Sequence, residues 1–470
     1  MGLLIRGGEI VTASDRYVAD VYCEDGRVAA IGRGLETRGA GDTVVAAAGR
    51  LLLPGFVDPH VHMELPFMGT VSCDDFFTGP ASGVAGGTTC FIDFCIPAPG
   101  TSLLDALEDW RTKSAKSPVD HTYHMAITSW SDRTAAEMKE VVEMHGITSF
   151  KVFMAYKGAI MVDDHALYQV MKHAARLGAV VTVHAENGDA VWNLQQELIA
   201  AGDLGPEFHP VSRPSRVEGE ATERALMMAR LHGAVPYIVH MTCKEAVHAL
   251  ERAKLDGQKC YGETCPQYLL LDDTVFTKPD FEGATYVMSP PIRPGHVGHH
   301  EALWNGISTG MLDSVGTDHC PFTFEQKKMG RDDFTKIPNG AAGIEDRLAM
   351  LHTHGVLKGH FDLQRMVALG STNPARIFGL YPRKGTIAVG SDADIVVFDP
   401  NAEGVRGAKV HHSKADRSIF EGFRVKGLPD RVIVGGRVQY EHGKLSIEKG
   451  AGRFLERAVQ MQHMPHAAGA

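Results

Sequence analysis

The sequence predicts a (β/α)8 TIM barrel carrying a small β-sandwich domain built from both chain termini, and three observations predict it. Its 470 residues suffice for one large α/β domain and a satellite. Between about residues 51 and 320, eight apolar strand-like runs alternate with amphipathic stretches able to cross between parallel strands. On either side the chain turns to short apolar runs separated by Gly turns, the habit of small antiparallel units. The expected boundaries are 1–52 and 378–451 for the two parts of the β domain and 53–377 for the barrel. A tail, 452–470, is rich in Ala, His, Met and Gln, and a contact between subunits is the use foreseen for it.

In chain order, "LLIRGGEIV" and "DVYCEDGRVAAIG" open the β domain. The barrel strands are placed in "LLLPGFVDPHVH", "GGTTCFIDF", "HTYHMAIT", "SFKVFMAY", "AVVTVHAEN", "PYIVHMT", "KCYGETCPQYLLL" and "MLDSVGTDHC". Helical periodicity at 102–116, 134–146, 164–177, 218–232 and 244–257 supplies crossovers, with larger excursions at 188–235 and 272–311. After 378, "GTIAVGSDADIVVFDP" and "RVIVGGRVQYEHGKLSI" complete the β domain.

A net charge of −10 without a block of basic residues argues against a nucleic-acid or anionic-membrane partner and favours a small uncharged ligand. The eight cysteines are scattered through apolar segments and no signal peptide precedes "MGLLIRGGEIV", so reduced thiols and a cytoplasmic setting are expected. Cys260 and Cys265 lack a second pair to complete a metal knuckle and read as core thiols.

Five of the expected strands finish in metal-ligand types: His60 and His62, Lys151, His184, His240 and Asp318. In a strand, residues i and i+2 share a face, so His60 and His62 can converge on one ion. His184 or His240 alone is an ordinary core histidine, and Asp318 alone an ordinary helix cap. Together they aim at the barrel mouth, where such enzymes work. His319, by alternation, faces away. Lys151 lies in an apolar strand where an ammonium is costly. Neutral imidazoles and one carboxylate hold two cations poorly, but a neutral amine can add carbon dioxide and become an anionic carbamate bridge.

The segments "PGFVDPHVHMELPFMGT", "SFKVFMAYKG", "VHAENGD", "YIVHMT", "GETCPQYLLL", "MSPPIR", "GTDHCPF" and "DDFTKIPNGAAGIEDR" resemble the dihydropyrimidinase and D-hydantoinase family of cyclic amidohydrolases. The resemblance spans nearly the whole chain. It implies two Zn2+ per subunit, bridged by carboxylated Lys151 (N6-carboxylysine) and a hydroxide, and a homotetramer. One ion would take His60, His62, Lys151 and Asp318, and the other Lys151, His184 and His240. Asp318 would shuttle the proton, Tyr156 would stabilise the oxyanion, and Ser289 and Asn339 would hold the amide edge of the ring, largely through backbone groups.

Relatives that take a carboxylate substrate carry Arg two residues after His-x-His, where this chain has Glu64, so that clasp is missing. Leu65, Phe67, Phe153 and Ile160 fall where family members form an apolar pocket for an exocyclic substituent. The expected activity is opening of 5,6-dihydropyrimidines or 5-substituted hydantoins to N-carbamoyl amino acids. Two alternatives stay open: a metal-free scaffold of the collapsin response mediator type, and another cyclic ureide hydrolase such as an allantoinase.

Overall fold

The computed structural model describes residues 2–460 and His463. The alternation in the sequence is realised as eight parallel strands: β1 (Phe56–Val61), β2 (Thr88–Cys95), β3 (Asp120–Ala126), β4 (Ser149–Phe153), β5 (Val180–His184), β6 (Val235–Ile238), β7 (Tyr261–Thr264) and β8 (Ser314–Val315). They are hydrogen-bonded in chain order. Every residue of β1 to β6 is buried, as befits parallel strands covered on both faces. The last strand returns to the first through the bridge between Val61 and His319, where the His62 N–H donates to the His319 carbonyl at 2.8 Å. The fold is the expected TIM barrel.

Five crossover helices form where the periodicity placed them: Leu103–Ser114, Asp132–His145, Asp164–Leu177, Ser215–Arg230 and Lys244–Leu255. Local chemistry sets the ends of two of them. Ser131 and Asp163 accept hydrogen bonds from the first-turn N–H groups of Thr134 and Ala166, and Gly146 and Gly178 close the helices in the left-handed conformation. A further helix, Thr78–Ala85, carries no apolar stripe because all of it but Thr78 is buried. Its glycines permit that depth: a Cβ on Gly79 would meet Met63 Sδ at 2.2 Å. In "KCYGETCPQYLLL" only Tyr261–Thr264 is strand, since Pro266 opens the helix Pro266–Leu270.

The β-sandwich domain is built from both chain ends as a sheet of nine strands, eight on one hydrogen-bonded path and the ninth, Thr43–Ala46, beside Leu3–Arg6. Leu51–Pro54 joins its two parts, pairing in parallel with Glu9 and Ile10 and antiparallel with Ile395–Phe398. That strand spans residue 52, and the chain leaves this sheet at Gly55 to enter β1. A Cβ on Gly55 would meet Thr89 Oγ1 at 2.0 Å.

The tail 452–470 is described only in part; residues 461, 462 and 464–470 lie outside the described residues. Its start docks on its own barrel. The His121 N–H donates to the Arg453 carbonyl and the Leu455 N–H to the His121 carbonyl, while buried Arg457 donates to the Tyr123 carbonyl and to Ser149 Oγ. The cysteines are free thiols, and no helix of the described residues is long and apolar enough to cross a membrane.

Lys384 ties the sheet to the barrel. Its buried Nζ lies 2.9 Å from Asp120 of β3, 3.0 Å from Asp392 and 2.7 Å from Asp394. Burial works against that ammonium, but Asp394 and Asp120 outweigh it and raise its pKa. Lys384→Met leaves buried Asp394 without its cation, while Asp120 keeps Arg453 and Asp392 keeps Arg383, and we expect a loss of about 3–5 kcal/mol, read as a lower midpoint in urea unfolding.

Candidate active site

Where β1 and β8 close the barrel, the closure is mostly side chain. Buried Asp58 accepts from Thr317 Oγ1 at 2.7 Å, and buried Arg347 donates to the carbonyls of Val57 and Val315 at 3.1 Å each. Just above this seam, Asp318 Oδ1 lies 3.2 Å from His60 Nε2 and 3.2 Å from His62 Nε2. The candidate ligand atoms of these three residues all fall within 4.8 Å of one another.

Lys151 is not at a strand end but in the middle of β4, because that strand runs on to Phe153. It is fully buried, with Nζ 4.7 Å from the centroid of the Phe94 ring. Burial is the dominant influence, drawing its pKa down to about 7 against the opposing pull of Asp318 and Glu263. Near neutrality a large share of this amine is therefore unprotonated. His184 Nδ1 and His240 Nε2 face each other at 3.0 Å. His319 turns away, as expected, placing Nε2 3.1 Å from Asp74.

Three of these residues are reached through backbone that L-residues rarely adopt: Tyr156 at φ 67°, His240 at φ 39° and Asp318 at φ 52°. Such strain costs about 1–3 kcal/mol per residue and collects at functional sites. Here it turns side chains into the mouth just after β4, β6 and β8.

Carboxylates outside the cleft orient the imidazoles. His60 Nδ1 lies 2.7 Å from Glu263 Oε1, whose other oxygen accepts from the Tyr237 hydroxyl at 2.7 Å. His184 Nε2 lies 2.8 Å from Glu186, which pairs with Arg213 at 2.5 Å. Sequence reasoning passed over Glu263 and Glu186. The signal that exposed Lys151, a charged residue among buried strand positions, also marks Glu263 in "YGET"; Glu186 stands two residues beyond His184. Burial raises the Glu263 pKa to about 7, whereas Arg213 and His184 overcome burial at Glu186 and hold it at about 2. Burial also holds His60 and His240 far below the usual imidazole range, so both are neutral, the form that binds metal. At Asp318 burial opposes ionisation, but His60 and His62 prevail and keep its pKa low.

The nitrogens left over make a donor set suited to cations. His62 Nδ1, Lys151 Nζ and His240 Nδ1 are buried without a hydrogen-bond partner, each at a cost of about 1–3 kcal/mol, and His60 Nε2 approaches Asp318 without bonding geometry. All six expected ligand residues line one cleft of about 460 Å³, including its open mouth. Tyr156, Ser289 and Asn339 line it too. Ser289 Oγ accepts from Asn339 Nδ2 at 3.0 Å. Leu65, Phe67, Ile96, Phe153 and Ile160 form the apolar wall. Glu64 is absent from the lining and pairs with Lys116 at 2.7 Å.

Comparison with known proteins agrees in fold and extent. Residues 51–439 match the amidohydrolase family. The chain is 45% identical over 460 residues to the D-hydantoinase of Geobacillus stearothermophilus, covering 97% of each. It is 44% identical over 455 residues to the dihydropyrimidinase of Arabidopsis thaliana, covering 97% of this chain and 85% of that one. The crystal structure of dihydropyrimidinase from Brevibacillus agri superposes with a TM-score of 0.95 at 45% identity, covering 98% of this chain and 99% of the other.

If Glu263 fixes the orientation of His60, Glu263→Gln should weaken metal retention about 10–100-fold, measured as metal per subunit after dialysis against graded chelator.

Proposed function

Because the chain belongs to the amidohydrolase family and is a cyclic-amide hydrolase of the hydantoinase and dihydropyrimidinase kind, we propose that it opens dihydropyrimidines and 5-substituted hydantoins at a binuclear metal centre. The products are N-carbamoyl amino acids. The observation that carries this reading is the convergence of His60, His62, Lys151, His184, His240 and Asp318 on one cleft, with buried nitrogens lacking partners. A metal-free scaffold has no use for such a set.

His60, His62 and Asp318 would hold one Zn2+ and His184 and His240 the other, with Lys151 between them as a carbamate. Forming that carbamate joins the Lys151 nitrogen to carbon dioxide and releases a proton. Bound there, two divalent ions supply Lewis acidity and lower the pKa of water from ~15.7 towards ~7.

The side chains do the rest. Asp318 takes one proton of the attacking water and returns it to the ring nitrogen as the C–N bond breaks, and the other proton leaves to solvent, so the water ends as a carboxylate oxygen, an N–H and a released proton. Tyr156 donates its hydroxyl to the carbonyl oxygen as charge builds there. Burial raises its pKa above the ordinary phenol range, which keeps the proton available for donation. Ser289 and Asn339 hold the amide edge of the ring, while Leu65, Phe67, Phe153 and Ile160 receive the exocyclic group.

With Glu64 turned to Lys116, the cleft offers no arginine clasp for a carboxylate at that position, which favours uncharged ureides. The homotetramer implied by the family belongs to the same proposal, with light scattering of the purified protein as its check.

Lys151→Ala is expected to lose bound metal and at least about 10³-fold in kcat, with partial recovery on adding short carboxylic acids. Full metal content and activity in that variant would sink the bridging role. Ring-opening assays on dihydrouracil, 5-phenylhydantoin and allantoin test the substrate class, which fails if the metal-loaded protein opens none of the first two.

A further inference from the structure

Just beyond β8, Thr323 caps the short helix Phe324–Lys327 through a reciprocal pair of bonds with Gln326. The Gln326 amide also donates to Thr70 Oγ1 at 2.8 Å and to the Val71 carbonyl at 2.7 Å, which ties the helix to the hairpin beside Phe67. The next residue points inward. Lys327 is 2% exposed, and its three ammonium donors go to three carbonyls: Val287 at 2.8 Å, Pro338 at 2.6 Å and Gly340 at 2.7 Å. The Phe322 ring lies 5.7 Å from the same nitrogen.

Those carbonyls belong to the two segments that present the polar ring contacts. Val287 stands two residues before Ser289, and Pro338 and Gly340 flank Asn339. The segments also touch directly, the Gly340 N–H donating to the Val287 carbonyl at 3.0 Å. Gly340 adopts φ 139°, where a Cβ would come within 2.3 Å of the Cys320 carbonyl oxygen. The backbone around Asn339 is therefore pressed against the segment after Asp318 on one side and drawn to Lys327 on the other.

We infer that Lys327 is a positioning residue for substrate binding: its ammonium clamps the Val287–Ser289 and Pro338–Gly340 segments at the separation needed to grip the amide edge of the ring. The inference rests on the reading that Ser289 and Asn339 contact the substrate. Lys327 touches neither substrate nor any candidate metal ligand. Its loss should act on substrate affinity and leave the metal centre loaded. Burial draws the Lys327 pKa down to about 7, but three carbonyl oxygens each need a donor, and an ammonium offers three in different directions from one point, which no neutral side chain of that length does.

The test measures KM, kcat, metal per subunit and thermal unfolding for Lys327→Met and Lys327→Gln, on whichever of dihydrouracil and 5-phenylhydantoin the wild type opens faster. In Lys327→Met we expect KM to rise at least about 10-fold, kcat to stay within about 3-fold and metal content to be unchanged, since what is lost is uniform binding. Lys327→Gln keeps two donors and should fall between the two. If the Met variant does not fold, the Gln variant is judged alone and its KM must rise. A folded variant with wild-type KM, or one whose defect is lost metal, overturns the inference. A substrate ring methylated at its amide nitrogen separates this from the reading beneath it. If the wild type takes it with an unchanged KM, the substrate contacts and the inference fall together; if methylation raises KM while Lys327→Met does not, only the inference falls.

Discussion

The first and last strands of the barrel meet through the Val61–His319 bridge, and the rest of the site depends on how that seam is held. β8 is only two residues long, too short to form an extended ladder with β1. Arg347 spans the gap by donating to a carbonyl on each side, and Asp58 accepts from Thr317 across it. These groups are fully buried, where a charge is tolerated only when paired and hydrogen-bonded. Asp318 follows Thr317 directly, and His60 lies two residues after Asp58. The bonds that close the barrel therefore also set the distance from Asp318 to the imidazoles.

Above the seam, the electrostatics explain why a bare site of this composition is uncomfortable. A lysine and four histidines crowd around one carboxylate in a desolvated space, and burial drives most of these groups away from their charged states. The outer carboxylates do not neutralise the cleft; they grip the far nitrogens and orient the rings, Glu263 on His60 and Glu186 on His184. Phe94 lies beneath, 4.6 Å from His60 and 4.8 Å from His62 between ring centroids. Such a site gains from anything that brings positive charge to the imidazoles and negative charge to the amine, and on the function proposed here a carbamate between two cations would do both.

Most of this was legible in the sequence, for reasons that differ by residue. The residues gathered in the cleft announced themselves because His, Lys and Asp are out of place in buried strands, and alternation turned His319 away from it. The helix Thr78–Ala85 was invisible because periodicity detects only half-buried helices. The placement of Lys151 at a strand end missed because hydrogen-bond register, not composition, decides where a strand stops. Glu263 and Arg347 escaped notice since their partners are 203 and 290 residues away along the chain. The tail could not be placed because its contacts, through Arg453, Leu455 and Arg457, are divided between backbone groups of β3 and the side chains of Asp120 and Ser149, more than 300 residues away along the chain.

The two halves of the cleft differ in how firmly they are built, and this bears on selectivity. The polar half rests on buried ion pairs and on backbone held in strained conformations. The apolar half includes Phe67 and Ile160, which are partly exposed and lie outside the barrel strands, Phe67 on a two-strand hairpin. On the function proposed here, a ring presents the same amide edge whether it has five members or six, and a rigid polar half demands that edge. Size and shape of the substituent are judged by the looser half, where a misplaced methylene costs only about 1–3 kcal/mol, while an unpaired polar contact costs far more. Strict selection for a cyclic ureide with lenient selection at its exocyclic position follows from that division, and substitutions on the hairpin and the loop after Tyr156 can change preference among substituents without disturbing the seam.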